Sequence, residues 1–377
     1  MSRGPTVAEV EFVGLRTPLA PPAAFSWGRA GERNVGLVRV RRSDGVTGWG
    51  ETSVTFPLWS LEERAGTVGR GVAPSATGLP CGSPEEIAAV TARLDAALGR
   101  LRQLWSPVAI SAAVGALEMA LLDAWARAHG QPAWRLLGGS PDPVPLYAVG
   151  FPGPAEEIVA GAARAVADGY RAVKLRVGFS DEADLDLVRR AVAELGAERV
   201  LLDANMAWTR GRALEMADRL AGIGAGWLEE PVARDDVAGL AEVRSRSGLR
   251  VAAGENCYAP AELHGLLDAG AVDVLMPDLA RCGGLLGGLA AAREALARGL
   301  AYSPHHYASD VGFAAALTVC AVAGPSAPLL RDVSPWPVRH ELLGEPLDVR
   351  DGLAHLPTAP GLAPAPDPRV IERSRVL

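Results

Sequence analysis

Between Pro145 and Ser334, short apolar runs alternate with longer amphipathic ones. The short runs read VPLYAVG, AVKLRVG, RVLLDAN, WLEEPV, RVAAGE, VDVLMPD, LAYSPHH and PLLRDVS. Runs of that length, bounded by turn residues, predict strands buried on both faces. Among the segments between them, EADLDLVRRAVAEL, ALEMADRLAGI, PAELHGLLDAG and GLLGGLAAAREALA carry the helical period. From Lys174 to Asp332 the polar strand ends recur about every 23 to 29 residues, the length of one βα unit. Eight such strands are what a (β/α) barrel requires, and their polar ends fall where barrels of this kind carry chemistry.

The chain before this region follows a different rhythm. Residues 7–50 alternate as strands do, with Ser43-Asp44-Gly45 as a hairpin turn. Between the first two predicted strands, PLAPPAAFSWGRAGERN reads as a long Pro- and Gly-rich loop. Its tip, Phe25-Ser26-Trp27, is a candidate lid over a ligand, although a loop aromatic equally serves packing. Ser83 to His129 is helical, with Ser83-Pro84-Glu85-Glu86 as an N-terminal signal. The expected division is an α+β domain over residues 1–140, a barrel over 141–340, and a Pro-rich segment over 341–377 returning to the first domain.

Composition narrows the partners more than the chemistry. The chain has 377 residues, 49% hydrophobic and 21% charged, an ordinary globular balance. A net charge of −7 with no basic cluster argues against nucleic acid and anionic membrane as partners. Four scattered cysteines (Cys81, Cys257, Cys282 and Cys320) form no CxxC pair and predict reduced, buried thiols. No apolar leader follows Met1 and no stretch reads as a bilayer span, so a cytoplasmic location is expected.

Three consecutive predicted strands end in acids, at Asp203, Glu229 and Glu255. Strand side chains alternate faces, so placing these three inward puts Asn205 inward and Glu230 outward. Three like charges in one barrel mouth repel unless a cation lies between them. Oxygen-only donors point to a hard divalent ion, Mg²⁺ before Ca²⁺ or Zn²⁺. A single strand-end acid could equally cap the helix that follows; three in succession favour a metal. Lys174 and Arg176 are two apart and enter the barrel on one face. Asp278 ends the sixth strand, and SPHHY on the seventh offers His305 and His306, of which only one can point inward. A histidine oriented by a carboxylate has the fixed tautomer and basicity that a general base requires.

In order and spacing, the motifs KxR, DAN, EEP, GEN, MPD–GG and SPH resemble the mandelate racemase subgroup of the enolase superfamily, across nearly the whole chain. The resemblance implies a modified TIM barrel, (β/α)7β, behind an N-terminal α+β capping domain. It implies Mg²⁺ held by Asp203, Glu229 and Glu255, with Asn205 as a polar neighbour. It makes Asp278 and His305 the catalytic dyad and Lys174 the cation facing the substrate carboxylate. Asp278 stands where the muconate cycloisomerase branch carries a lysine, which argues against that branch. Two departures matter. The second lysine of the family's KxK is Arg176, which does not deprotonate, and the eighth-strand Glu is replaced by Arg331-Asp332. Substrate contact is therefore expected from Arg176, Asn205, Trp27, Arg331 and Asp332. The implied activity is dehydration of a 2-hydroxy sugar acid, a small carboxylate, by one base that later serves as acid. Alternatives are an epimerase or racemase of a hydroxy or amino acid, a non-catalytic acid-binding relative, and an aldolase with Lys174 as Schiff base. Relatives of this kind are commonly symmetric homo-oligomers.

Overall fold

Alternating apolar positions draw the N-terminal residues into an antiparallel sheet of β1 (Val7–Phe25), β2 (Gly28–Arg42) and β3 (Thr47–Thr52), in that order. The computed structural model of the chain describes residues 4–25 and 28–377, with backbone only at 24, 25, 102 and 103. The Pro-rich stretch expected as a loop is an extension of this hairpin. Ala23 pairs with Ala30 and Phe25 with Gly28, beyond a register shift between Pro18 and Ala23. β1 is an edge strand, so prolines there remove no interior ladder donor. Trp27, expected at the tip, lies outside the described residues.

The helix Pro107–Ala128 packs on this sheet and Pro84–Leu104 packs against that helix, each opened by a serine accepting from a first-turn N–H: Ser83 from Glu86 at 3.3 Å and Ser106 from Ala109 at 3.2 Å. The second is buried along Ala109–Ala126. Its length and apolarity would suit a membrane span, contrary to the sequence reading, but 94% of its most apolar window is buried within the fold. It is a core helix joining two domains.

The barrel follows as β4 (Val144–Val149), β5 (Ala172–Arg176), β6 (Val200–Asp203), β7 (Trp227–Glu229), β8 (Arg250–Ala253), β9 (Val274–Leu275), β10 (Ala301–Tyr302) and β11 (Leu329–Asp332). All are parallel, with a helix in each of the seven intervals, and β11 returns to pair with β4. Between β10 and β11, Ser303 Oγ donates to Pro328 O at 2.7 Å. The inward residues Tyr147, Ala172, Leu201, Trp227, Ala252, Val274 and Leu330 form one apolar cluster that fills the barrel. Two residues further along and on the same face, Lys174, Asp203, Glu229 and Asp332 are thereby lifted toward the mouth.

The capping domain is pinned to the barrel by two buried acids. Glu118 accepts from Leu286 N at 2.9 Å, at the start of the helix Leu285–Ala297. Glu51 on β3 accepts from Ser309 N at 3.0 Å, at the start of Asp310–Ala323. Burial pushes both carboxyls up to about 8 despite these donors. Gly115 is required beside them, since a Cβ there would lie 2.6 Å from Gly284 N. The C-terminal segment first adds the hairpin β12 (Val349–Arg350) and β13 (Leu353–Ala354) to the entry end of β4. It then returns to β1, where Gly14 N donates to Leu377 O at 3.0 Å. All four cysteines are buried and free.

Candidate active site

Strand register assembles the mouth. Arg176 pairs with Asp203 and Asp203 with Glu229, so neighbouring strands deliver their polar ends at one height. Lys174 Nζ lies 2.8 Å from both oxygens of Glu229 and 3.3 Å from Asp203 Oδ2, inside the barrel. Asn205 donates to Asp203 through its backbone N at 2.9 Å and Nδ2 at 3.0 Å, and its own Oδ1 is buried without a partner. Asn205, Met206 and Glu230 have φ of 45°, 60° and 40°, a left-handed backbone held just beyond β6 and β7.

Opposite stands His305. Its Nδ1 lies 2.7 Å from Asp278 Oδ2 and its Nε2 2.8 Å from Glu255 Oε2. Asp278 and His305 also form a backbone bridge between their strands. Burial alone would depress this imidazole, but the flanking Glu255 and Asp278 carry it up to about 9. His306 turns to the other face, against Phe313, where burial pushes it down to about 3 and keeps it neutral. Arg281 completes this side, 3.3 Å from both Glu255 Oε1 and Asp278 Oδ2.

The electrostatics differ across the site: burial would raise Glu255 and Asp278, but His305 and Arg281 hold both below the usual carboxylate range. Burial and the neighbouring Asp203 and Glu255 push Glu229 well up, although Lys174 pulls it down. Lys174 itself is held well above the usual lysine range, because these carboxylates outweigh its burial. Among the described residues no three acidic, histidine or cysteine side chains stand in metal-binding geometry. The reason lies in the cations already there: Lys174 is between Asp203 and Glu229, and His305 is against Glu255. An ammonium held by two acids stands in for a metal ion, and the donors are all oxygen, so Asp203, Glu229 and Glu255 fit a hard divalent cation.

Some expectations change. Glu230 does not turn away: its positive φ breaks the strand alternation, and its buried carboxylate accepts from Asn256 Nδ2 at 2.5 Å. Burial and the nearby Glu255 raise it to about 7. Arg331 does not reach the mouth. Leu330 takes the inward position, so Arg331 points outward, 2.5 Å from Asp310 and over the Phe313 ring. Asp332 is inward but is bound by Arg33 at 3.0 Å and Arg339 at 2.5 Å. Burial would raise its carboxyl, but these guanidiniums and Ser334 hold it at about 2, so it cannot serve as a protonated donor. Arg176 is at the mouth beside Tyr307, its guanidinium carbon 5.6 Å from the ring centroid.

The sequence reading missed Arg33, Tyr307, Arg281 and Asn256. Tyr307 lies two residues beyond His305 and could have been found by alternation. Arg33 could not, because it arrives from β2 and meets Asp332 across 299 residues of chain. A cavity of about 320 Å³ reaches Lys174, Asp203, Asn205, Glu255, Arg281 and His305, and Ser53 and Phe56 of the capping domain border it.

Comparison with known proteins agrees with this architecture. Residues 7–138 match the mandelate racemase / muconate lactonizing enzyme N-terminal domain, and residues 157–370 match the enolase C-terminal domain-like family. The D-galactarolactone cycloisomerase of Agrobacterium fabrum is 32% identical over 66% of this chain and 70% of its own. The D-gluconate dehydratase of Thermoproteus tenax is 30% identical over 90% of this chain and 69% of its own. An enolase from Bradyrhizobium, crystallised with magnesium and mandelic acid, superimposes with a TM-score of 0.87 at 28% identity, covering 100% of both chains. Other relatives include muconate cycloisomerases and dipeptide epimerases, so the relatives are enzymes of several reaction types on one scaffold. With both family domains matched in order along one chain, this protein belongs to the enolase superfamily, in its mandelate racemase and muconate lactonizing group.

Proposed function

We propose that this chain is a Mg²⁺-dependent lyase that removes the proton α to the carboxylate of a 2-hydroxy sugar acid and expels the 3-hydroxyl as water. The observation that carries this reading is one histidine base facing two permanent cations. His305 is fixed by Asp278 through Nδ1, and its Nε2, which here meets Glu255, is the nitrogen that would take the proton once Glu255 turns to a metal. On the other side stand Lys174, held protonated by its acids, and Arg176, which does not deprotonate. An epimerase needs a base on each side of the carbon, and this arrangement supplies one.

Asp203, Glu229 and Glu255 would hold the metal, which when bound supplies a Lewis acid for the carboxylate and 2-hydroxyl of the substrate. His305 accepts the proton while the C–H electrons form the ene-diolate. Lys174 and Arg176 stabilise the negative charge spreading onto the carboxylate oxygens. The electrons then return to form the C2–C3 double bond as the C3–O bond breaks. The imidazolium gives its proton to the departing hydroxyl, and water leaves. The resulting enol becomes a 2-keto-3-deoxy acid by taking a proton at C3 while its 2-hydroxyl gives one up to solvent. Asn205 and Arg176, which line the cavity, would contact the substrate.

The test is NMR of the protein with Mg²⁺ in D₂O against a set of sugar acids, beside His305→Asn. A 2-keto-3-deoxy product that disappears in the variant supports the reading. Deuterium at the α-carbon with no keto product sinks dehydration in favour of epimerisation, and no exchange with any acid sinks both.

A further inference from the structure

Dehydration ends on an enol that takes a proton at C3, and the groups assigned so far cannot supply it. His305 has by then handed its proton to the departing hydroxyl. Lys174 is held protonated by its carboxylates, and Arg176 does not deprotonate. Two phenols also line the catalytic cavity, Tyr258 and Tyr307. The Tyr258 hydroxyl is turned to Asn256 Oδ1, 3.5 Å away. Tyr307 is placed differently. Its Oη accepts from Arg33 Nη2 at 2.6 Å, and the Arg176 side chain is hydrogen-bonded to it as well. The Arg33 guanidinium carbon also lies 4.3 Å from the centroid of its ring, and Arg33 is fixed in turn by Asp332 at 3.0 Å. A phenol oxygen has two lone pairs and one proton, whereas a guanidinium only donates. Hydrogen bonds from two guanidiniums take the lone pairs and leave Tyr307 only its O–H to offer. The phenolate formed when that proton departs is stabilised by the two permanent positive charges beside it.

We propose that Tyr307 is the proton donor to C3 in the last step, which gives ketonisation on the enzyme a single stereochemical outcome. The inference rests on the dehydration reading. As the enol collapses, the O–H electron pair of the 2-hydroxyl becomes the C2=O π bond, and its proton passes to solvent. The C2=C3 pair forms the new C3–H bond with the Tyr307 proton, whose former O–H electrons stay on the phenolate. Solvent then returns a proton to Tyr307, so the residue ends as it began.

The test is NMR of the products formed in D₂O, with Mg²⁺, from gluconate, galactonate and galactarate. The wild type is expected to place deuterium at C3 in one configuration over the other by at least about ten to one. Tyr307→Phe and Tyr307→Gln, the second keeping an acceptor for Arg33, are expected to leave the enol to solvent and bring that ratio to about one to one. Tyr258→Phe is expected to keep the wild-type ratio. A preference that survives both Tyr307 variants, or a wild type that gives both configurations equally, overturns the donor and leaves dehydration standing. Loss of turnover in both variants also overturns it, since a donor that acts after water has left is not needed for water loss. A keto product from none of the three acids overturns the dehydration reading and the donor together.

Discussion

Two sets of buried acids in this molecule follow opposite rules. At the seam between the domains each acid has its own donors: Glu118 the N–H of Leu286, Glu51 those at Ser309, and Asp332 the guanidiniums of Arg33 and Arg339. At the barrel mouth Asp203 and Glu229 share one lysine, and Glu255 shares His305 with Asp278. Each seam acid is held by donors of its own and ties the two domains together. Mouth acids share their cations unevenly: burial pushes Glu229 well up, whereas His305 and Arg281 hold Glu255 and Asp278 down although burial would raise both. Neither burial nor an upward shift therefore marks a functional carboxylate, since Glu51 and Glu118 at the seam are both pushed up to about 8; what sets the mouth apart is several acids sharing cations in one cavity.

The comparison is broken most severely at the mouth through its base. His305→Asn should lower the rate of α-proton exchange about 10³-fold. A rate within a few-fold of wild type would remove His305 from the mechanism. At the seam the largest effect falls on stability. Asp332→Asn leaves Arg33 and Arg339 buried without their anion and should cost about 3 kcal/mol in denaturant unfolding.

The same pair gives a pH signature. Asp332 sits at about 2, below its ordinary value of 3.8, so its contribution is full above about pH 4 and is lost as the pH falls through about 2. That acid-induced loss should be smaller in the variant, and an unchanged profile would contradict the assignment.

Glu229→Gln sharpens the contrast because its sign is reversed. Removing one crowded charge should stabilise the metal-free protein by about 1 kcal/mol and abolish any stabilisation by added Mg²⁺. Melting curves with and without Mg²⁺ decide this, and a destabilised metal-free variant would mean that the mouth is already balanced. The smallest effect belongs to Glu118→Gln. Glu118 is pushed to about 8 and so is largely neutral near pH 7, and glutamine keeps an acceptor for Leu286 N. A change below about 0.5 kcal/mol is expected in urea unfolding, and a loss of several would mean that Glu118 is ionised.

Where strand alternation ran unbroken, the sequence was enough. Lys174, Asp203 and Glu229 follow from a period of two and the βα repeat, both local properties of the chain, whereas the choice of His305 over His306 came from the family resemblance. Alternation failed at Glu230, where a positive φ turned the next residue back toward the mouth. On the eighth strand, parity could separate inward Asp332 from outward Arg331 only once the register with β4 was known.

The sequence by itself determined the eight-stranded repeat, the acids at its strand ends and the substitution of arginine for a second lysine. Only the tertiary structure decided which acids are compensated. It brought Arg33 and Ser53 from the capping domain to the barrel and placed Arg281 between Glu255 and Asp278. These contacts join residues far apart in the chain, and charge compensation depends on distances in space that no local period encodes.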